Sequence, residues 1–243
     1  MNDKAINKPA APEIANVCLW NQILRKGSVE SVSAELSLPC DKALIEQTLR
    51  DIGVDGAGEN GWMKVQWVDP YGHEISLAGY ERRLNYIYEF NHLAEKIAAL
   101  DNVDLARFQA LCGRYLDKGS AHPEENFMFE TTFANAINMT HNISENIGVI
   151  PGVGRNMELG HYCVSKQLIT GFENANEAIL RYLDYEKIGS EYRDLVGGAF
   201  YNGCLVYGLP EYEELKLPYD GRSLLIEPEP EQGQTIGITM GGM

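Results

Sequence analysis

The stretch RYLDYEKIGSEYRDLVGGAFYNG, Arg181 to Gly203, decides the fold class. It crowds four carboxylates (Asp184, Glu186, Glu191, Asp194) among rings (Tyr182, Tyr185, Tyr192, Phe200, Tyr201) and breaks at a Gly-Gly pair. Read as a helix with Tyr182, Leu183 and Ile188 inward and the acids in water, it leads into a strand, AFYNGCLVYG, with Asn202-Gly203 as a turn or bulge. A helix and a strand this close in sequence indicate a mixed fold. Asp184 and Glu186, two apart on a helix, diverge by about 200°. A catalytic carboxylate pair faces itself across a cleft, so it would need a non-helical backbone here.

Outward from this stretch, MELGHYCVSKQLI and NANEAILRYLD read as helices. Before them, GVIPGVGRN (148–156) is a Gly/Pro-rich hinge and the best domain boundary in the chain. The middle of the chain has a helical period. Leu84, Ile87, Phe90, Leu93, Ile97 and Leu100 recur every three or four residues, predicting a helix from about Tyr80. A second helix is capped at Asp101 or Asn102 and stopped at Gly119, and a third runs near 123–143. Towards the N-terminus, IANVCLW (14–20), VESVSAEL (29–36) and WMKVQWV (62–68) read as strands, with Lys26-Gly27 as a turn. Between them Pro39 and Asp41 open a helix that Gly53 ends. After Leu209 four prolines and EPEPEQGQ indicate an extended tail, with short strands at 223–227 and 235–239.

The expected architecture is therefore α+β, with three small tandem domains and a tail. Residues 1–78 form a small antiparallel sheet plus a helix, and 79–154 a helical middle domain. Residues 155–208 form an α+β domain with the acidic-aromatic motif, and 209–243 an extended Pro/Glu-containing C-terminal tail.

Charge narrows the function classes. The chain of 243 residues carries 35 acidic and 20 basic side chains, a formal net charge of −15. A phosphate surface requires Lys and Arg to displace its counterions, so direct binding to nucleic acid or to an anionic membrane is disfavoured. The negative charge is spread: −4 over 1–78, −4 over 79–154 and −7 over 155–243. The N-terminal residues lack the apolar run of a signal peptide, and no window resembles a membrane span. The five cysteines are odd in number and never form CxxC, as suits reduced thiols and a cytoplasmic location. Asn138 and Asn142 sit in glycosylation sequons that carry no meaning there.

Enzymatic signatures are weak. GAGENG (56–61) has the GxGxxG spacing, but it follows a predicted helix and precedes a strand, the reverse of the order that presents a helix N-terminus to pyrophosphate. PGVGRN lacks the lysine and Ser/Thr of a phosphate loop. His73, His92, His122, His141 and His161 show no metal-ligand spacing. No nucleophile elbow or Cys/His signature is present. No catalytic, metal-binding or cofactor-binding residue is nominated.

ELG, then YLDYEKIGSEYRDL, then GAFYNGCLVYG resembles the C-terminal region of ArdA-type antirestriction proteins. LSLPCDKALIEQTLRDIGV between two strands, and FNHLAEKIAAL in the middle region, resemble that family in the same order. The resemblance implies a non-enzymatic, elongated, dimeric mimic of bent B-form DNA that occupies the DNA channel of type I restriction-modification enzymes. By that resemblance Asp184, Glu186, Glu191 and Asp194 stand in for phosphates or brace the domain that presents them, and Glu173 and Glu177 join them as mimic carboxylates. Tyr185, Tyr192 and Tyr201 are the expected homodimer contact, within residues near 180–207. The alternative is an acidic adaptor of a mobile element that binds another basic defence or nucleoid protein. An enzyme using convergent carboxylates is a third reading.

Overall fold

The computed structural model describes residues 13–25, 28–54, 61–67, 81–83, 86–115, 132–170, 176 and 180–219. Strands β1 (Ala15–Arg25) and β2 (Ser28–Leu38) form a long antiparallel hairpin, registered from Ala15 opposite Leu38 to Arg25 opposite Ser28. β3 (Gly61–Trp67) pairs with the other edge of β1, and β4 (Glu81–Arg83) with β3, giving the order β2-β1-β3-β4. In β1 Ala15, Val17 and Leu19 are buried while Asn16, Cys18 and Trp20 are half-buried, the two-residue alternation of a sheet with one face on a core. Helix α1 (Lys42–Asp51) turns Ile45, Thr48 and Leu49 into that core. Asn21 fixes its C-terminal end by donating to the carbonyls of Ile52 and Gly53, both at 3.2 Å.

The helical layer is α2 (Ile87–Ala98), α3 (Asn102–Tyr115) and α4 (Thr132–Thr140). Asp101 caps α3, its carboxylate accepting from the N–H groups of Val103 (2.9 Å) and Asp104 (2.8 Å). The helix predicted from Tyr80 starts later, and Glu81–Arg83 is an edge strand instead. Two adjacent arginines beside a glutamate suit a short edge strand, and the apolar period begins in earnest only at Ile87. Asn91 ties α2 to the link between β2 and α1, its amide pairing with both the N–H (2.9 Å) and the C=O (3.0 Å) of Cys40. One buried apolar cluster runs without a break from Ile14 through α1, α2 and α3 to Cys204 and Val206.

The second sheet has the order β5-β7-β6, all antiparallel: β5 (Gly148–Pro151), β6 (Ala199–Tyr201) and β7 (Cys204–Tyr207). The segment predicted to be a hinge thus begins as a strand, its Gly148 paired with Tyr207 and its Pro151 with Cys204. Pro151 sits at the strand's last residue on an edge, where its missing N–H is tolerated. Asn202 (φ 48°) and Gly203 (φ 67°) make the tight hairpin turn between β6 and β7. Both faces of this sheet are covered. Cys204 and Val206 join the large cluster, while Leu205 and Tyr207 face a second one, built with α5 (Asn156–Ser165) and α6 (Tyr185–Val196).

Residues 209–219 depart from the extended tail expected after 208. Leu209, Tyr212, Leu215 and Tyr219 dock on the large cluster, with a 3-10 turn at Tyr212–Glu214 closed by a reciprocal Glu211/Glu214 capping box. The two sequon asparagines explain the docking. Asn138 pairs with the N–H and C=O of Tyr219, both at 2.9 Å, and Asn142 with those of Lys216, at 2.8 and 2.9 Å. Asn138 is 2% exposed, so this fold leaves no room for a substituent on its amide. GAGENG, apart from Gly61, the end of the predicted second helix (116–119), the start of the predicted third (123–131), and the strands predicted at 223–227 and 235–239 lie outside the described residues.

Candidate functional site

Helix α6 carries the acidic-aromatic motif. Its start is set by Asp184, whose Oδ1 accepts from the Lys187 N–H at 3.0 Å. Its stop is set by Gly197, left-handed at φ 62°, with the Gly198 N–H reaching back to the Arg193 carbonyl at 2.9 Å. Ile188, Tyr192 and Val196 recur at every fourth position and face the second cluster. Tyr182, predicted to point inward, is 90% exposed because it precedes the cap, outside the helix's apolar face.

Gly189, in the middle of the motif, is buried against α5. A Cβ built there would meet the Asn156 carbonyl oxygen at 1.8 Å, and one on Gly160 of α5 would meet that of Tyr185 at 1.9 Å. The two helices therefore cross backbone to backbone at a pair of glycines, and this contact fixes how α6 is presented.

Each motif carboxylate has a neighbour of its own. Asp184 serves as the cap. Glu186 accepts from the Asn156 amide at 3.2 Å, and the Asn156 oxygen accepts in turn from Arg193 at 3.3 Å. Glu191 lies 3.9 Å from Lys187, one turn earlier. Asp194 takes two bonds from Arg193, at 2.8 and 3.1 Å. Helical geometry puts Asp184, Lys187, Glu191, Asp194 and Leu195 within about 100° of one another on the outer face, with Glu186 on the opposite side towards α5. Leu195 is 80% exposed there. The structure brings together three of the four acids as a row some 15 Å long, not as a converging pair. Glu173 and Glu177 lie outside the described residues.

The three tyrosines nominated for a dimer contact all have partners within the chain. Tyr185 stacks on His161 with ring centres 3.7 Å apart, and its hydroxyl donates to the Leu180 carbonyl at 3.0 Å. Burial pushes the Tyr192 phenol up, with Cys163 and the Tyr207 and Tyr162 rings adding to it. Tyr201 lies under Gly113 of α3. The residues that tie the site together, Asn156 and Arg193, carried no sequence signal beyond being polar on an amphipathic helix.

Among the described residues no group of three or more His, Cys, Asp or Glu side chains is placed to hold a metal ion. All five cysteines are free thiols. Burial, with Asp41 and Glu95 nearby, pushes the Cys40 thiol up to about 11, and burial also raises Cys163 and Cys204. A thiol that stays protonated is a poor nucleophile and a poor ligand. No helix among the described residues is long and apolar enough to cross a membrane. No protein-family model matches the chain, and no curated protein matches it.

Proposed function

We propose that this chain is an antirestriction inhibitor, an acidic stand-in for DNA that enters the basic DNA channel of a type I restriction-modification enzyme. The reading extends to the arrangement in three units, 1–78, 79–154 and 155–208, to a homodimer formed through residues near 180–207, and to a cytoplasmic site of action. The observation that carries it is the outer face of α6, one ordered stretch of an acidic surface that must extend over more of the chain. Asp184, Glu191 and Asp194 stand there on a helix locked to α5 at two glycines, so the backbone that spaces their charges is held in place. The net charge of −15 supports the same reading, because a channel lined with Lys and Arg attracts carboxylates as it attracts phosphates.

A second reading has its own support. Lys187 and Arg193 partly neutralise the motif, and Leu195 and Tyr182 stand bare beside it. A mixed face with two apolar side chains suits docking on a single basic protein, as an adaptor would do. Competition separates the two. In a plasmid-cleavage assay with a type I enzyme, the mimic raises the DNA concentration needed for cleavage and is itself displaced by excess duplex. Inhibition that duplex DNA cannot relieve, or no inhibition at all, removes the mimic and leaves the adaptor.

A further inference from the structure

We propose that the C-terminal turn of α4, bearing Asn138, together with the turn that follows it, bearing Asn142, is a peptide-binding groove, occupied in cis by residues 209–219 as a separable ligand rather than as part of the core. An asparagine side chain offers one acceptor and one donor, the complement of one residue's N–H and C=O. Asn138 near the end of α4 and Asn142 in the turn after it, four residues on, each make both bonds, to Tyr219 and to Lys216, and the Tyr115 hydroxyl donates to the Pro210 carbonyl. Five side-chain hydrogen bonds thus read the backbone of the segment, which any extended chain could offer.

Selectivity comes from the anchors. Leu209, Tyr212, Leu215 and Tyr219, spaced three, three and four apart, sit on the apolar cluster, while Glu211, Glu213, Glu214, Lys216, Leu217 and Pro218 between them are exposed. Backbone bonds for affinity and spaced pockets for specificity are the pattern of a docked peptide. The segment's own hydrogen bonds include the local 3-10 turn and its capping box, so part of its shape belongs to itself. It joins β7 through Gly208, exposed and left-handed at φ 69°. The groove therefore fits a peptide with a single 3-10 turn at its centre and extended residues after it, carrying aliphatic or aromatic anchors at positions 1, 4, 7 and 11.

The test uses the full chain with a protease site inserted at Gly208, cleaved after folding. A fluorescein-labelled synthetic peptide of residues 209–219 is then added, and exchange is followed by polarisation while far-UV circular dichroism monitors the helices. The labelled peptide should exchange in saturably, with helicity unchanged. N-methylation of the peptide at its Lys216 or Tyr219 amide, which removes one donor and leaves the protein untouched, should weaken binding by roughly tenfold each. Asn142→Asp on the protein, which loses the donor to the Lys216 carbonyl, should do the same. Failure of the peptide to exchange, loss of helicity as the fragment leaves, or equal affinity of the N-methylated peptides would overturn the proposal.

Discussion

The residue that best shows how sequence and structure part company is Gly189. A glycine inside a predicted helix is only a small penalty, about 1 kcal/mol against alanine, and nothing adjacent to it in sequence announces a helix crossing thirty residues away. The structure gives the reason for it: the Asn156 carbonyl oxygen lies 1.8 Å from where a Cβ would stand. Because the obstacle is backbone, it cannot swing aside. Gly189→Ala should therefore lose stability despite its better helix propensity, by about 1–3 kcal/mol as in other overpacked contacts, read as a lower urea midpoint with an unchanged slope. Asp184 offers the complementary case. It was legible as an acid but not as a cap, since caps depend on where the helix starts. If capping is its structural role, Asp184→Asn should be nearly neutral in stability, while Asp184→Ala should cost about 0.5–2 kcal/mol. Equal losses from the two would assign its effect to charge instead.

At the scale of elements, regular patterning was readable and long-range pairing was not. The alternation in β1 and β2 and the period of α2 indicate the first sheet and the helical layer, while Asn202-Gly203, legible as a turn or a bulge, is the hairpin turn between two strands. Gly148–Pro151 read as a hinge because Gly and Pro dominate it, yet its pairing with β7 across more than fifty residues makes it a strand. No local signal records that partner. Within α2, Glu89 is equally opaque. It lies on the inner face, 3% exposed, where the period asks for an apolar residue. Burial pushes its carboxyl up to about 7, and the Tyr219 hydroxyl pulls it only partway back. The raised folded value means that the folded protein holds a proton that the unfolded chain releases near 4.5. Stability from this group is full below about pH 4.5 and falls as pH rises to about 7. Glu89→Gln keeps the shape and removes the titration, so its advantage should grow across that window to about 3 kcal/mol at pH 8. Denaturant melts of both proteins at pH 5 and pH 8 would show it; a constant difference between them would mean that Glu89 is already ionised in the fold.

For the whole molecule, the question is whether charge acts locally or collectively. The row on α6 sets three carboxylates over some 15 Å, whereas duplex DNA sets one phosphate per about 1.7 Å, or about nine over the same length. Lys187 and Arg193 thin the row further. A mimic built on α6 alone would be far too dilute, so a DNA-like field must draw on acids from across the chain. Two quadruple variants separate the cases, each taking the formal charge from −15 to −11. One changes Asp184, Glu191, Asp194 and Glu186 to their amides, and the other changes the exposed Glu13, Glu35, Glu145 and Glu213. Single rim charges are worth only about 0.2–1 kcal/mol, so four together should weaken inhibition of a type I enzyme by roughly tenfold or more. If the charge acts collectively, both variants should lose potency to a similar degree. Added salt should then weaken wild type more than either variant, since fewer charges remain to screen. If only the α6 variant loses potency while the distant one inhibits like wild type, the contact is a local docking face. The adaptor reading, with the exposed Leu195 and Tyr182 at the two ends of α6, then replaces the mimic.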